Sequence, residues 1–204
     1  MSLASTSDSA SGLDAPVSRF RIMEIKRDTP AAEIAVRVSQ ALEAAGIKAT
    51  LSGGGAVSIY TMNEYESKDL DFVTSERREA LLAALLPLGF GLASDRRHFS
   101  HPTTDIYLEF PAAPLQFGKR ILQHDDVPRL DTQWGPLRVV TPTLCVMDRL
   151  AAFWYWHDRQ SWDQAVLVAK HHHVDYNTLS IYASEEGADP GDIDRLRAHA
   201  TGSA

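Results

Sequence analysis

The chain has 204 residues, 44% of them hydrophobic and 23% charged, with 27 acidic against 20 basic side chains and a formal net charge of −7. That size suits one domain, or a core domain with a helical appendage, and no uncharged apolar run approaches the roughly 20 residues a membrane span needs. The acidic balance argues against a protein living on non-specific nucleic-acid contacts, which depend on neutralising phosphates; a local basic patch stays compatible with a specific nucleic-acid substrate.

The Ser/Ala/Thr-biased N-terminus lacks the basic start and apolar block of a secretory signal and reads as a disordered tail over residues 1–18. A helix is expected from Thr29-Pro30, with Thr29 as N-cap, Pro30 at the first helical position, Ile34, Val38 and Leu42 at helical spacing, and Gly46 as the stop. A short strand over Ile47 to Leu51 feeds three glycines, and a helix over Ala56 to Glu66 follows. Asp69 to Val73 alternates as a strand. Ser75 is placed to cap a helix over Glu76 to Leu86, stopped by Pro87. Strands are expected over Leu88 to Ala93, Arg97 to Ser100 and Thr104 to Phe110. Two prolines and a glycine mark Pro111 to Lys119 as a loop, and Asp125 to Asp131 reads as irregular. Leu137 to Val140 is a last strand. Helices then begin from Pro142, capped by Thr141 or Thr143, near Ser161 to Lys170 and near Tyr176 to Glu185. The reading is an α/β (α+β) fold, a mixed sheet flanked by helices over residues 20–140, a helical subdomain over 141–187 and a polar tail over 188–204.

Two neighbouring motifs carry the chemistry: Leu51-Ser-Gly-Gly-Gly-Ala and Ser67-Lys-Asp-Leu-Asp-Phe-Val73. Glycines at a strand-to-helix turn let backbone N–H groups approach a phosphate. Asp69 and Asp71, at i and i+2 on a strand, point to one face and can share a hard divalent cation. On Thr104 to Phe110 the same alternation puts Asp105, Tyr107 and Glu109 on one face.

In this order the motifs resemble the minimal nucleotidyltransferases of the DNA polymerase beta superfamily, and more closely the subset related to abortive-infection nucleotidyltransferase toxins. The 16 residues from Gly53 to Asp69 suit one intervening helix, and the likeness covers roughly residues 35–175. It implies a nucleotidyltransferase fold and transfer of a nucleoside monophosphate from an NTP to a hydroxyl acceptor. That acceptor is left open among an RNA 3′ end, a protein side chain and a small molecule such as an aminoglycoside. It further implies that Ser52, Gly53 and Gly54 cradle the triphosphate and that Asp69 and Asp71 hold Mg²⁺ or Mn²⁺. The third carboxylate would be Glu109, favoured for its place inside the strand, with Asp105 as the alternative. Lys68 and Arg97 would neutralise phosphates. The chain departs from the group in having Gly55 at a polar position and Asp148-Arg149 where a lysine is common. Both departures favour an alternative: a catalytically inactive nucleotide-binding or interaction module, such as a partner in a toxin–antitoxin pair.

Other residues carry plainer readings. Consecutive His171, His172 and His173 fan about 100° apart on a helix and do not converge on one ion. Phe153, Trp154, Tyr155, Trp156 and Trp162 suit core packing or a homodimer contact better than base stacking. The single cysteine, Cys145, excludes an intrachain disulfide, suits a reducing cytoplasm, and on its apolar helix face is expected to be buried and inert.

Overall fold

The computed structural model describes residues 24–202, so the tail expected over residues 1–18 lies outside them. Among these residues seven α-helices surround a five-stranded mixed sheet and two separate β-hairpins. Helix α1 (Ala31–Ala44) buries Ile34, Val38 and Leu42 on one face. It begins one residue later than expected. Pro30, whose missing N–H costs nothing there, takes the N-cap position and accepts from the Ile34 N–H, while the Thr29 hydroxyl closes the preceding turn by accepting from the Lys26 N–H.

Strand β1 (Thr50–Ser52) runs straight into α2 (Gly53–Tyr60). The helix starts at the first glycine, not at Ala56, because Gly53 takes the left-handed φ of +65° that turns the chain in one residue. After β2 (Asp69–Val73) comes α3 (Arg78–Leu85), which starts past the expected Ser75 cap; the Thr74 hydroxyl instead accepts from the Glu76 N–H. Strands β3 (Gly91–Leu92), β4 (Phe99–Ser100) and β5 (Tyr107–Glu109) complete the sheet, in the order β1-β2-β5-β4-β3. Only β2 and β5 are parallel neighbours; the other pairs are antiparallel. Leu51, Phe72, Leu70, Leu108 and Phe99 bury one face of the sheet.

The segments expected as loop and irregular chain contain structure. β6 (Leu115–Phe117) and β7 (Arg120–Leu122) form a hairpin within and beyond 111–119, with Leu115 and Phe117 buried on either side of exposed Gln116. The Pro114 and Gly118 that suggested a loop flank β6 and do not interrupt it. β8 (Arg129–Thr132) pairs with β9 (Gly135–Arg138), which lies two residues earlier than expected; Val139 beyond it bridges to Leu51.

Helix α4 (Pro142–Trp156) is capped by the Thr141 hydroxyl, which accepts from the Leu144 N–H. It packs against α5 (Arg159–His171), and α6 (Tyr176–Glu186) follows. The polar tail expected over 188–204 is corrected: Gly191–Thr201 forms α7, which buries Ile193 and Leu196 and packs on α5. No helix of the described residues is long and apolar enough to cross a membrane.

Candidate functional site

Sheet register builds the site. Ser52 stands opposite Asp71 on β1 and β2, and Asp71 stands opposite Glu109 on β2 and β5. Partners directly across a ladder project to the same face, so Ser52, Asp71 and Glu109 form one row. Asp69, two residues before Asp71, shares that face with Tyr107 opposite it. This register distinguishes the two candidates for a third carboxylate. Glu109 lies in the row. Asp105, exposed, precedes β5 and stands 4.0 Å from the equally exposed Lys68 ammonium.

Burial and neighbouring negative charge together raise the Asp71 carboxyl above its ordinary value. Burial, the Glu109 carboxylate and the Asp69 carboxylate, in that order, push its carboxyl up to about 6, against the pull of the nearby Arg149 guanidinium. A half-buried carboxylate without enough positive charge around it fits a cation, and an all-oxygen donor set fits Mg²⁺ or Mn²⁺. The fit is complete for Asp69 and Asp71 in donor type and facing. Glu109 is already paired. Arg97 grips it through Nη2 at 2.5 Å and Nε at 2.7 Å, and His98 Nε2 lies 3.5 Å away. Consistently, no three His, Cys, Asp or Glu side chains of the described residues come together closely enough to hold an ion. Arg97, expected to meet phosphate, is therefore the partner of Glu109.

The glycine turn sits against this row. A Cβ at Gly53 would collide with the Asp71 carboxylate, and one at Gly54 would press on Ser67 Oγ at 3.1 Å. The third glycine, Gly55, which has no polar role, has a packing one: a Cβ there would stand 2.9 Å from Leu70 Cδ2 and 3.0 Å from the Asp69 carbonyl oxygen. Three glycines thus let α2 lie directly on the strand that carries the aspartates. Ser58 ties the same two elements, accepting from the Ser67 N–H at 2.7 Å, and Ser67 Oγ in turn accepts from the Asp69 N–H at 3.2 Å.

Two residues of α4 complete the site and were not among its expected members. Asp148 Oδ2 accepts from the Gly53 N–H at 3.2 Å, from the Ser52 hydroxyl at 3.3 Å and from Arg149 Nη2 at 2.7 Å. Arg149 Nη1 donates to Gln164 on α5 at 3.1 Å. The available signal was an Asp-Arg pair set inside an apolar helical stretch, Leu144 to Met147 before it and Leu150 to Ala152 after it. A charge pair there must be buried or functional. Both residues also border a cleft of about 620 Å³ between α4 and the β6–β7 hairpin, where Lys119, Tyr155 and the largely exposed Trp156 lie.

The remaining candidates have structural partners. α5 ends at His171, so the three histidines do not share a helix as expected: His171 pairs with Glu64, and His172, in extended backbone at the C-cap, bonds the Tyr60 carbonyl through Nε2. Trp154 and Trp162 pack against Tyr182 and Phe153. Cys145 is fully buried, and burial pushes its thiol far up, which keeps it inert.

Three solved structures are similar to this chain. The crystal structure of an antigenic nucleotidyltransferase-like protein from Paracoccidioides brasiliensis is similar with a TM-score of 0.50 and 13% identity, over 71% of this chain and 77% of that one. The crystal structure of ANT(2")-Ia in complex with adenylyl-2"-tobramycin is similar with a TM-score of 0.45 and 14% identity, over 85% and 97%. The solution structure of the antibiotic-resistance factor ANT(2'')-Ia matches with a TM-score of 0.45 and 15% identity, over 82% and 89%. No family model matches the sequence, and no curated protein does. The chain has a nucleotidyltransferase-like fold.

Proposed function

We propose that this protein is a metal-dependent nucleotidyltransferase that moves a nucleoside monophosphate from an NTP to a hydroxyl-bearing acceptor. The observation that carries this reading is the row Ser52, Asp71, Glu109, with Asp69 beside it, set against a glycine turn that opens α2. Asp69 and Asp71 would hold Mg²⁺ or Mn²⁺, and Glu109 would join them on leaving Arg97. A metal held there lowers the pKa of the acceptor hydroxyl and neutralises the departing pyrophosphate. The chain supplies the positioning. The Gly53 N–H and Ser52 hydroxyl point toward one oxygen position beside the carboxylates, as a phosphate requires. Arg97, released from Glu109, is free to meet phosphate charge. The likeness to abortive-infection toxins rests on the sequence motifs, and the acceptor stays open among RNA, protein and a small molecule.

A second reading, a nucleotide-binding or interaction module without chemistry, is favoured by one observation: Glu109 is bound to Arg97 and no group of three metal-ligating side chains forms among the described residues. One experiment separates the readings. The protein is titrated with Mg²⁺ and each NTP, following thermal stability and pyrophosphate release. Stabilisation with release supports the enzyme; stabilisation without release supports the module. Asp69→Asn with Asp71→Asn should abolish the Mg-NTP stabilisation, and a double variant that still binds as tightly overturns the site.

A further inference from the structure

We infer that Asp148 is a built-in competitor for the phosphate position, a carboxylate that occupies the glycine turn until a more highly charged anion displaces it. The inference rests on the nucleotidyltransferase reading of that turn. Its ground is the convergence of donors from three elements, β1, α2 and α4, on one oxygen. The Gly53 N–H, the Ser52 hydroxyl and the Arg149 guanidinium all meet Asp148 Oδ2, at 3.2, 3.3 and 2.7 Å. A backbone N–H, a hydroxyl and a guanidinium around one anionic oxygen is the donor set that binds a phosphate oxygen. An ion pair serving packing alone would need only Arg149, its sequence neighbour; here the carboxylate also reaches across to the turn 95 residues away.

The surroundings suit a carboxylate that leaves while its partners stay. Arg149 is anchored separately by Gln164 at 3.1 Å, so its guanidinium keeps its aim once Asp148 departs. Ser52 and Gly53 are fixed by β1 and α2. Asp148 itself borders the cleft of about 620 Å³ between α4 and the β6–β7 hairpin, which gives the side chain somewhere to go. A single negative charge on Asp148 is exchanged for the several charges of a pyrophosphate or triphosphate group, while a monoanion gains nothing by the exchange. The contact therefore selects for polyphosphate over weaker anions and lowers affinity for all of them.

The test is calorimetric titration of the full chain with sodium pyrophosphate, and separately with Mg-ATP, comparing the native protein with Asp148→Asn, Arg149→Gln and the double variant. The asparagine keeps the shape and removes the charge. Asp148→Asn should bind pyrophosphate at least tenfold more tightly than the native chain, Arg149→Gln at least tenfold more weakly, and the double variant should lose the gain. Equal or weaker binding by a folded Asp148→Asn overturns the competitor and leaves the nucleotide reading standing. A gain for pyrophosphate with no Mg-ATP binding by either chain supports the competitor and overturns the nucleotide reading. Binding of neither probe by either chain overturns both. If Asp148→Asn does not fold, Asp148→Ser, which retains a small hydrogen-bonding group, is held to the same expectation.

Discussion

Gly53 and Asp71 share a space that admits no larger residue at position 53: a Cβ there would be driven into the Asp71 carboxylate, and the backbone φ of +65° is one that side chains resist. The two motifs singled out in the sequence are thus one contact. Gly53→Ala should lose about 1–2 kcal/mol from the left-handed backbone alone, lowering the melting temperature by about 2–8 °C. It should also displace Asp71 and weaken Mg-NTP binding more than the stability loss accounts for. Thermal melts with and without Mg-NTP measure both effects; a variant that loses stability but keeps its ligand shift would show that the close approach is structural only.

Asp71 also sets a pH dependence. Its carboxyl is pushed up to about 6 from an ordinary value of 3.8, first by burial and then by Glu109 and Asp69. The folded state therefore holds this proton more tightly than the unfolded chain. Its favourable contribution is fully present below about pH 3.8 and is lost as pH rises through about 6. The shift corresponds to a cost of about 2–3 kcal/mol at neutral pH without metal. Asp71→Asn should accordingly raise the metal-free melting temperature at pH 7.5, and the advantage over the native chain should shrink toward pH 4.5. Parallel melts of both proteins across that range, in chelator, decide it.

The register sets Glu109, and not Asp105, directly opposite Asp71, which is the place the proposed function needs for a third carboxylate. Glu109→Gln should reduce NTP-dependent pyrophosphate release by roughly 10²-fold or more, the scale on which positioned acid–base and charge-stabilising groups act. Asp105→Asn should leave it within a few-fold, since that side chain is exposed and meets only Lys68 at 4.0 Å. The reverse ranking would require β5 to slide four residues along β2, which keeps the face and brings Asp105 opposite Asp71 in place of Glu109.

What was legible in the sequence was what local pattern encodes. Asp69 and Asp71 alternate with the apolar Leu70 and Phe72, so strand, face and carboxylate pair could be read together, and Glu109 could be read from the same alternation. Which residue it faces could not, because register belongs to a strand pair and not to one strand. Asp148 illustrates a different limit. Its helix was readable from the Thr-Pro start, but that Asp148 meets the Gly53 N–H depends on how α4 docks against α2. The short strands β6 and β8 were hidden by flanking turn residues and by a length of only three or four residues each. The C-terminal helix offered the weakest signal: Ile193 and Leu196 are its only large apolar residues, spaced three apart among Asp, Arg and Ala.

That helix owes its place to polar contacts as much as to those two side chains. Asp192, 4% exposed, accepts from the Trp154 indole N–H at 2.8 Å and is paired with Arg195 on its own helix. Removing the carboxylate leaves a half-buried indole donor without its acceptor and takes a negative charge from the first turn of α7, where the helix dipole favours one. Asp192→Ala should cost about 2–3 kcal/mol, and Asp192→Asn, which keeps an acceptor for the indole, distinctly less. The loosening should be local: Trp154 stands in α4 six residues past Asp148, so Trp fluorescence should shift toward the red while binding of pyrophosphate stays within a few-fold of the native value. Loss of pyrophosphate binding in a folded Asp192→Ala would mean instead that α7 helps hold α4 in the position from which Asp148 and Arg149 reach the turn.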